Sequence, residues 1–241
     1  MITFLTSSPC IYGAPRAILN PENSFVDNLR SCLPEHPRCL FVAASPDDPA
    51  FTDRVADEMA ACFAEAGLGF SELYKLDRRN QSDAQLLIWK SDLIMLSGGH
   101  VPTQNQFFHE IGLKELLVNF QGVVLGISAG TMNAAGRVYV QPEEPGESVP
   151  EFQRFAEGLA LTNVNVLPHY QQVWDRYLDG RRLYEDVTFA DSYGECFYVF
   201  VDGTYLLIED GQTTLYGKAW RLQDGRMEQI SELGDIVLIE E

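Results

Sequence analysis

The stretch Gly122-Val123-Val124-Leu125-Gly126-Ile127-Ser128-Ala129-Gly130-Thr131-Met132-Asn133-Ala134-Ala135 constrains this chain more than any other. Its first half reads as a buried apolar strand, its last residues as a helix opened by small side chains, and only Gly126–Gly130 separates the two. So sharp a reversal forces strand and helix backbones together, which accounts for glycine on both sides of Ser128. A G-x-S-x-G turn of this kind holds its serine under strain and presents the hydroxyl at the C-terminal edge of a sheet. It also sets that hydroxyl at a helix start, where unpaired N–H groups and the macrodipole favour negative charge, so the Ala129 N–H can help bind an oxyanion. The bland alternative is a tight β-α turn whose serine only caps the helix; the strand before and the helix after favour a nucleophile.

Around this turn the chain alternates. Apolar runs at Ile2–Thr6, Cys39–Ala44, Phe70–Leu76, Asp92–Leu96 and Gly122–Gly126 read as strands. Between the second and third, Phe51–Ala66 carries Val55, Met59, Phe63 and Ala66 at helical spacing, with acidic residues toward its start and Gly67 as its stop. Strand and helix in repeated order imply parallel pairing through right-handed crossovers, hence a three-layer α/β fold with helices on both faces of a mostly parallel sheet. The proline-rich segment 141–150 is a loop, and Val173–Val187 reads as helical. Strand-like runs follow at Cys196–Val201, Thr204–Ile208, Thr213–Arg221 and Asp235–Ile239. Asp202-Gly203, Asp210-Gly211 and Asp224-Gly225 supply hairpin-turn signals, so antiparallel strands are expected toward the C-terminus. With 241 residues, 46% of them hydrophobic, one domain over 1–241 is expected.

Composition then excludes some partners. Seventeen basic residues against thirty-five acidic ones leave a formal charge of −18, without the phosphate-neutralising surface that nucleic-acid binding needs. The N-terminus lacks the basic flank and the length of a signal peptide or membrane span. Five cysteines, odd in number and without a C-x-x-C pair, argue against a zinc knuckle and a disulfide framework. A cytoplasmic protein with no membrane or nucleic-acid partner is expected; a homodimer is left open.

A serine needs a base within hydrogen-bond reach, usually histidine. Of four histidines, His36 lies in a Pro-Glu-His-Pro turn and His109 in a helical surface pattern. His169 follows the strand-like run Leu159–Leu167 and Pro168, and so emerges at a strand end as Ser128 does. A carboxylate should fix its tautomer; Glu143 and Glu144 in the proline-rich loop are the candidates between Ser128 and His169, and Glu143 is favoured. The loop Ser97-Gly98-Gly99-His100 follows another strand and precedes a helix, so Gly99 offers a second oxyanion donor and His100 a substrate contact.

Together the double-glycine loop, Gly126–Gly130 after its strand, and Pro168-His169-Tyr170 resemble the peptidase E and cyanophycinase family of serine peptidases, over most of the chain. The resemblance implies a class I glutamine-amidotransferase-like α/β fold and hydrolysis of short peptides through an acyl-serine, without metal or organic cofactor. It places the third triad member at Glu143, a glutamate where peptidase E has aspartate. Family members commonly continue Gly-Gly-Asn-Thr, whereas this chain has Gly98-Gly99-His100-Val101. The substrates implied are aspartyl dipeptides, as for peptidase E, or a β-linked aspartyl-arginine polymer, as for cyanophycinases. Arg181 and Arg182 fall near where peptidase E carries an arginine, and a guanidinium is the natural partner of an aspartyl carboxylate. The rivals are an α/β-hydrolase esterase, which lacks here its HGGG-type motif, and a non-catalytic binding protein on the same fold. A glutamine amidotransferase would need cysteine at position 128.

Overall fold

A computed structural model describes residues 1–240. In chain order its elements begin with β1 (Ile2–Thr6), α1 (Phe25–Cys32), β2 (Arg38–Val42), α2 (Pro49–Glu65), β3 (Glu72–Leu76), α3 (Ala84–Lys90), β4 (Leu93–Leu96), α4 (Val101–Glu110), α5 (Leu113–Leu117), β5 (Val123–Ile127) and α6 (Ala129–Met132). The chain continues through β6 (Arg137–Tyr139), β7 (Phe155–Glu157), β8 (Asn165–Leu167), α7 (Tyr170–Val173), β9 (Tyr177–Leu178), β10 (Arg181–Arg182) and α8 (Phe189–Asp191). It ends with β11 (Cys196–Phe200), β12 (Tyr205–Glu209), β13 (Gln212–Tyr216), β14 (Ala219–Gln223), β15 (Arg226–Ser231) and β16 (Ile236–Ile239).

The main sheet has eight strands in the order β16-β13-β12-β1-β5-β4-β2-β3. Five of them, β1 to β5, pair in parallel, and β12, β13 and β16 extend the β1 edge antiparallel. Every residue of β4 and β5 is buried, as strands covered on both faces require. One apolar layer joins Phe4, Phe41 and Leu125 to Phe25 and Leu29 of α1 and Phe63 of α2. The other joins Leu40, Ile94 and Val124 to Ile88 of α3, Phe107 and Phe108 of α4 and Leu117 of α5. This is the expected mostly parallel α/β sheet with antiparallel strands added late.

A second sheet, β15-β14-β11-β8, stands beside the first. In it β8 and β11 are parallel neighbours, with Leu167 opposite Val199. Residues just past both strands therefore leave the sheet at the same edge.

Three local expectations change. Val173–Val187 is not one helix: α7 ends at Val173, the β9–β10 hairpin follows, and helical backbone resumes only at Leu183. Asp179 and Gly180 at the hairpin tip both have positive φ, which a helix excludes. The run Thr213–Arg221 is two strands in different sheets, divided at Gly217 (φ 100°) and Lys218. Asp210-Gly211 and Asp224-Gly225 do close two-residue hairpins, with all four residues at positive φ. Asp202-Gly203 does not, because β11 and β12 belong to different sheets.

Candidate active site

Ser128 sits between β5 and α6 with φ 52° and ψ −111°, a conformation costing a non-glycine residue on the order of 1–3 kcal/mol. Its N–H donates to the carbonyls of Thr6 and Ser7, both at 3.1 Å. The flanking glycines are sterically required: a Cβ on Gly130 would stand 2.2 Å from the Leu96 carbonyl oxygen, and one on Gly126 would stand 2.9 Å from Thr131 Oγ1. The Thr131 hydroxyl, in turn, donates to Thr6 O at 2.8 Å. The strained serine is thus clamped between β1, β4 and its own short helix.

The double-glycine loop lies against it. A Cβ on Gly98 would come within 3.3 Å of Ser128 Cβ, and one on Gly99 within 2.6 Å of Ala44 Cβ. Behind the loop a buried amide network fixes its position. Gln104 donates to Ser97 O at 2.7 Å, Asn133 donates to Gln104 Oε1 at 3.1 Å and to Val101 O at 3.2 Å, and Asn105 donates to Asn133 Oδ1 at 3.0 Å. Ala129 is the first residue of α6, ahead of the helical ladder. Neither its N–H nor that of Gly99 has a hydrogen-bond partner among the described residues.

His169 follows β8 in the left-handed region, φ 60°. Its N–H donates to Ser7 Oγ at 2.8 Å, so Ser128 and His169 are hydrogen-bonded to the same residue at the end of β1. The ring's Nδ1 lies 2.7 Å from Asp202 Oδ1. Asp202 follows β11, the parallel neighbour of β8, and that pairing brings the two side chains together. Ser7 Oγ also donates to Asp202 Oδ1, at 2.8 Å, and Gln172 Nε2 donates to Asp202 Oδ2 at 2.7 Å. Burial alone would raise the Asp202 carboxyl, whose side chain is 4% exposed, but the bonds from His169, Ser7 and Gln172 hold it below the ordinary carboxylate range. An ionised Asp202 requires the proton on Nδ1, which leaves the Nε2 lone pair free.

The carboxylate hydrogen-bonded to His169 Nδ1 is therefore that of Asp202 and not that of Glu143. Among the described residues no hydrogen bond or ion pair joins Glu143 or Glu144 to His169. Glu143 is nonetheless close enough for the charges of His100 and His169 to act on it, and burial pushes its carboxyl up to about 6. Its backbone is held by Arg176, which donates to the Glu143 carbonyl at 2.5 Å.

His100 has both nitrogens engaged, Nδ1 with Thr103 Oγ1 and Nε2 with Glu147 Oε1, each at 2.8 Å. The second bond ties the double-glycine loop to the proline-rich loop. His100, Glu144 and Glu147 bring one metal-ligating atom each within 4.8 Å of one another. Glu147 Oε2, however, already accepts the N–H groups of Glu143 and Glu144, so the cluster is a hydrogen-bonded anchor. Arg181 and Arg182 form the exposed strand β10, and Arg182 is paired with Asp186 at 2.8 Å. His36 is exposed, and His109 contacts the Glu157 carbonyl. A surface groove at the other end of the sheet is lined by Arg38, Trp89, Asp92 and Gly122. Ligands of open α/β sheets bind outside the carboxyl ends of strands, where Ser128, Gly98 and His169 are.

The model of peptidase family S51 matches residues 19–216, a span that holds Gly98, Ser128, His169 and Asp202. The chain belongs to peptidase family S51. S51 membership makes it a serine-type peptidase and removes the esterase and binding-protein readings. Two solved structures share the S51 chain's fold. A peptidase from an acI-B1 Actinobacterium superposes with a TM-score of 0.63 at 17% identity, covering 99% of this chain and 96% of its own. A protein assigned to peptidase E from Listeria monocytogenes EGD-e gives 0.58 at 14% identity, covering 95% and 98%. No curated protein sequence matches the chain.

Proposed function

We propose that this S51 peptidase hydrolyses short peptides through an acyl-enzyme on Ser128, with His169 as base and Asp202 as the residue that orients it. The supporting observation is the shared anchor: Ser7 holds the Ser128 N–H, the His169 N–H and the Asp202 carboxylate through three separate hydrogen bonds. The Ser128 hydroxyl and the imidazole are not directly hydrogen-bonded; catalytic contacts of this kind tighten when substrate arrives.

In the proposed reaction Ser128 Oγ attacks the scissile carbonyl carbon while its proton passes to His169 Nε2. The carbonyl oxygen gathers negative charge and is met by the N–H groups of Gly99 and Ala129. His169 returns the proton to the leaving amine as the C–N bond breaks. A water, deprotonated by the same nitrogen, then attacks the ester and frees Ser128. Asp202 keeps Nδ1 protonated throughout, so that Nε2 is always the nitrogen that exchanges the proton.

For a substrate with an acidic side chain, the half-buried Arg176 beside Glu143 is a better carboxylate partner than the exposed Arg181 and Arg182. Glu143 stands nearby as a half-buried acid able to meet a substrate ammonium. The reading is tested by Ser128→Ala: peptide turnover should vanish while the circular dichroism spectrum and melting temperature are kept, and retained turnover refutes it.

A further inference from the structure

Cys10 and Cys62 are 52 positions apart, yet their sulfurs lie 3.9 Å from each other. Cys62 is buried in α2, beside Phe63 and Ala56 in the apolar layer; Cys10 is half-buried and heads a surface loop. That loop closes on itself through the Cys10–Leu19 bridge and an Ile11 N–H to Ile18 O bond of 2.9 Å. It is fastened to the end of α2 by the Arg16–Glu65 ion pair. The thiols share one hydrogen bond. Either sulfur can be the donor.

The loop also starts at the active site. Ser7, three residues before Cys10, binds His169 and Asp202. The Ser8 carbonyl accepts the Gly203 N–H at 3.0 Å, and Ser8 Oγ accepts the Cys10 N–H at 3.2 Å. The negative charge of Asp202 reaches the Cys10 thiol as well. A change in Cys10 is thus passed along four residues to the groups that position His169.

We propose that Cys10 and Cys62 form an oxidisable dithiol, a modification site whose disulfide draws residues 7–10 toward α2 and slows the reaction at Ser128. A disulfide has its sulfurs about 2.05 Å apart, so oxidation must bring the sulfurs from 3.9 Å to about half that separation. α2 is packed into the core, and the loop is the side free to move. With a hydroperoxide as oxidant, the more accessible Cys10 sulfur loses its proton and takes one peroxide oxygen as the O–O bond breaks; the product is a sulfenic acid, and the leaving oxygen departs protonated as an alcohol or water. The Cys62 thiol gives up its proton and attacks that sulfur; the S–S bond forms, the S–O bond breaks, and the departing hydroxide takes up that proton and leaves as water. Two thiols lose two electrons and the peroxide gains two. The effect on turnover rests on the Ser128 reading; the disulfide does not.

The test treats reduced full-length protein with hydrogen peroxide and follows three signals: non-reducing peptide mapping, hydrogen exchange at the His169 amide, and turnover of a short peptide. The expected result is a Cys10–Cys62 linked peptide, faster exchange at His169, and turnover lower by about tenfold or more, because sub-ångström to 1 Å misplacements of catalytic groups cost that much. Dithiothreitol should reverse all three, and Cys10→Ser should show neither linkage nor peroxide sensitivity. Folded protein that forms no such linkage, or linked protein with unchanged His169 exchange and turnover, overturns the proposal. Reduced protein with no turnover contradicts the Ser128 reading instead, and linkage and exchange still decide the dithiol.

Discussion

His169 Nδ1 and Asp202 Oδ1 are 2.7 Å apart because they follow two parallel strands, β8 and β11, that leave the second sheet at one edge. The main sheet delivers Ser128 to the same place, and Ser7 at the end of β1 is bonded to all three. The site is therefore a seam between two sheets, with β1 as the common support.

Asp202→Asn keeps the shape of the side chain but removes its charge and allows the imidazole to take the wrong tautomer. We predict a fall in kcat/KM on the order of 10³–10⁴-fold, as for other triads deprived of their carboxylate. Glu143→Gln should cost less than tenfold. Steady-state kinetics of the two variants side by side distinguishes the acids; the reverse ranking would return the orienting role to Glu143.

Ser7→Ala should leave the main sheet intact yet weaken the hold on both His169 and Asp202. The expected loss is about tenfold or more in kcat with little change in KM. A loss confined to KM would mean that Ser7 contacts substrate rather than positions the base.

Glu143 makes a prediction for stability. Its folded-state pKa, about 6, lies above the ordinary 4.5, so between those values the folded protein binds more protons than the unfolded chain. Stability from this group therefore falls as pH rises through that window, and above it the half-buried charge costs about 2 kcal/mol. Glu143→Gln should raise stability by up to about that much at pH 8 and leave it unchanged near pH 4. Urea unfolding at the two pH values checks this; equal effects at both would place the carboxyl in solvent.

Two glycines should fail in different ways. Gly130→Ala drives a methyl into the Leu96 carbonyl and should destabilise the fold by about 3 kcal/mol. Gly98→Ala presses on Ser128 Cβ at 3.3 Å and meets Ile127 at ordinary contact distances of 3.6 and 3.8 Å, so its melting temperature should stay within a few degrees of wild type while turnover drops about tenfold. Thermal melts and kinetics on both variants separate the roles.

Arg176→Ala should abolish any preference for aspartyl over alanyl dipeptides, and Arg181→Ala and Arg182→Ala should leave it unchanged. Ratios of kcat/KM for the two substrates measure this directly. Loss of preference in either exposed variant instead would move the carboxylate site to the β9–β10 hairpin.

The parallel sheet was legible because its strands are buried on both faces and read as continuous apolar runs, and Ser128 because its glycines are forced by backbone contact. His169 was legible as a residue at a strand end. Asp202 was not, since Asp-Gly is a turn signal and this copy looks like the two that close hairpins. Only the division of the late strands between two sheets turns the 202–203 turn into a crossover, and local sequence carries no mark of which sheet a strand joins. The Val173–Val187 stretch, expected to be helical, differs for a local reason: Asp179-Gly180 interrupts it with two residues at positive φ. The cysteines were judged by their spacing in the chain, which says nothing of the Cys10–Cys62 contact between a loop and a helix.

The most direct test of the account is the site of covalent capture by a fluorophosphonate, read by intact mass and peptide mapping on wild type, Ser128→Ala and His169→Ala. A single adduct on Ser128 in the wild type, absent from Ser128→Ala and much slower to form in His169→Ala, is the predicted result. An adduct on another residue, or equal labelling rates with and without His169, would contradict it.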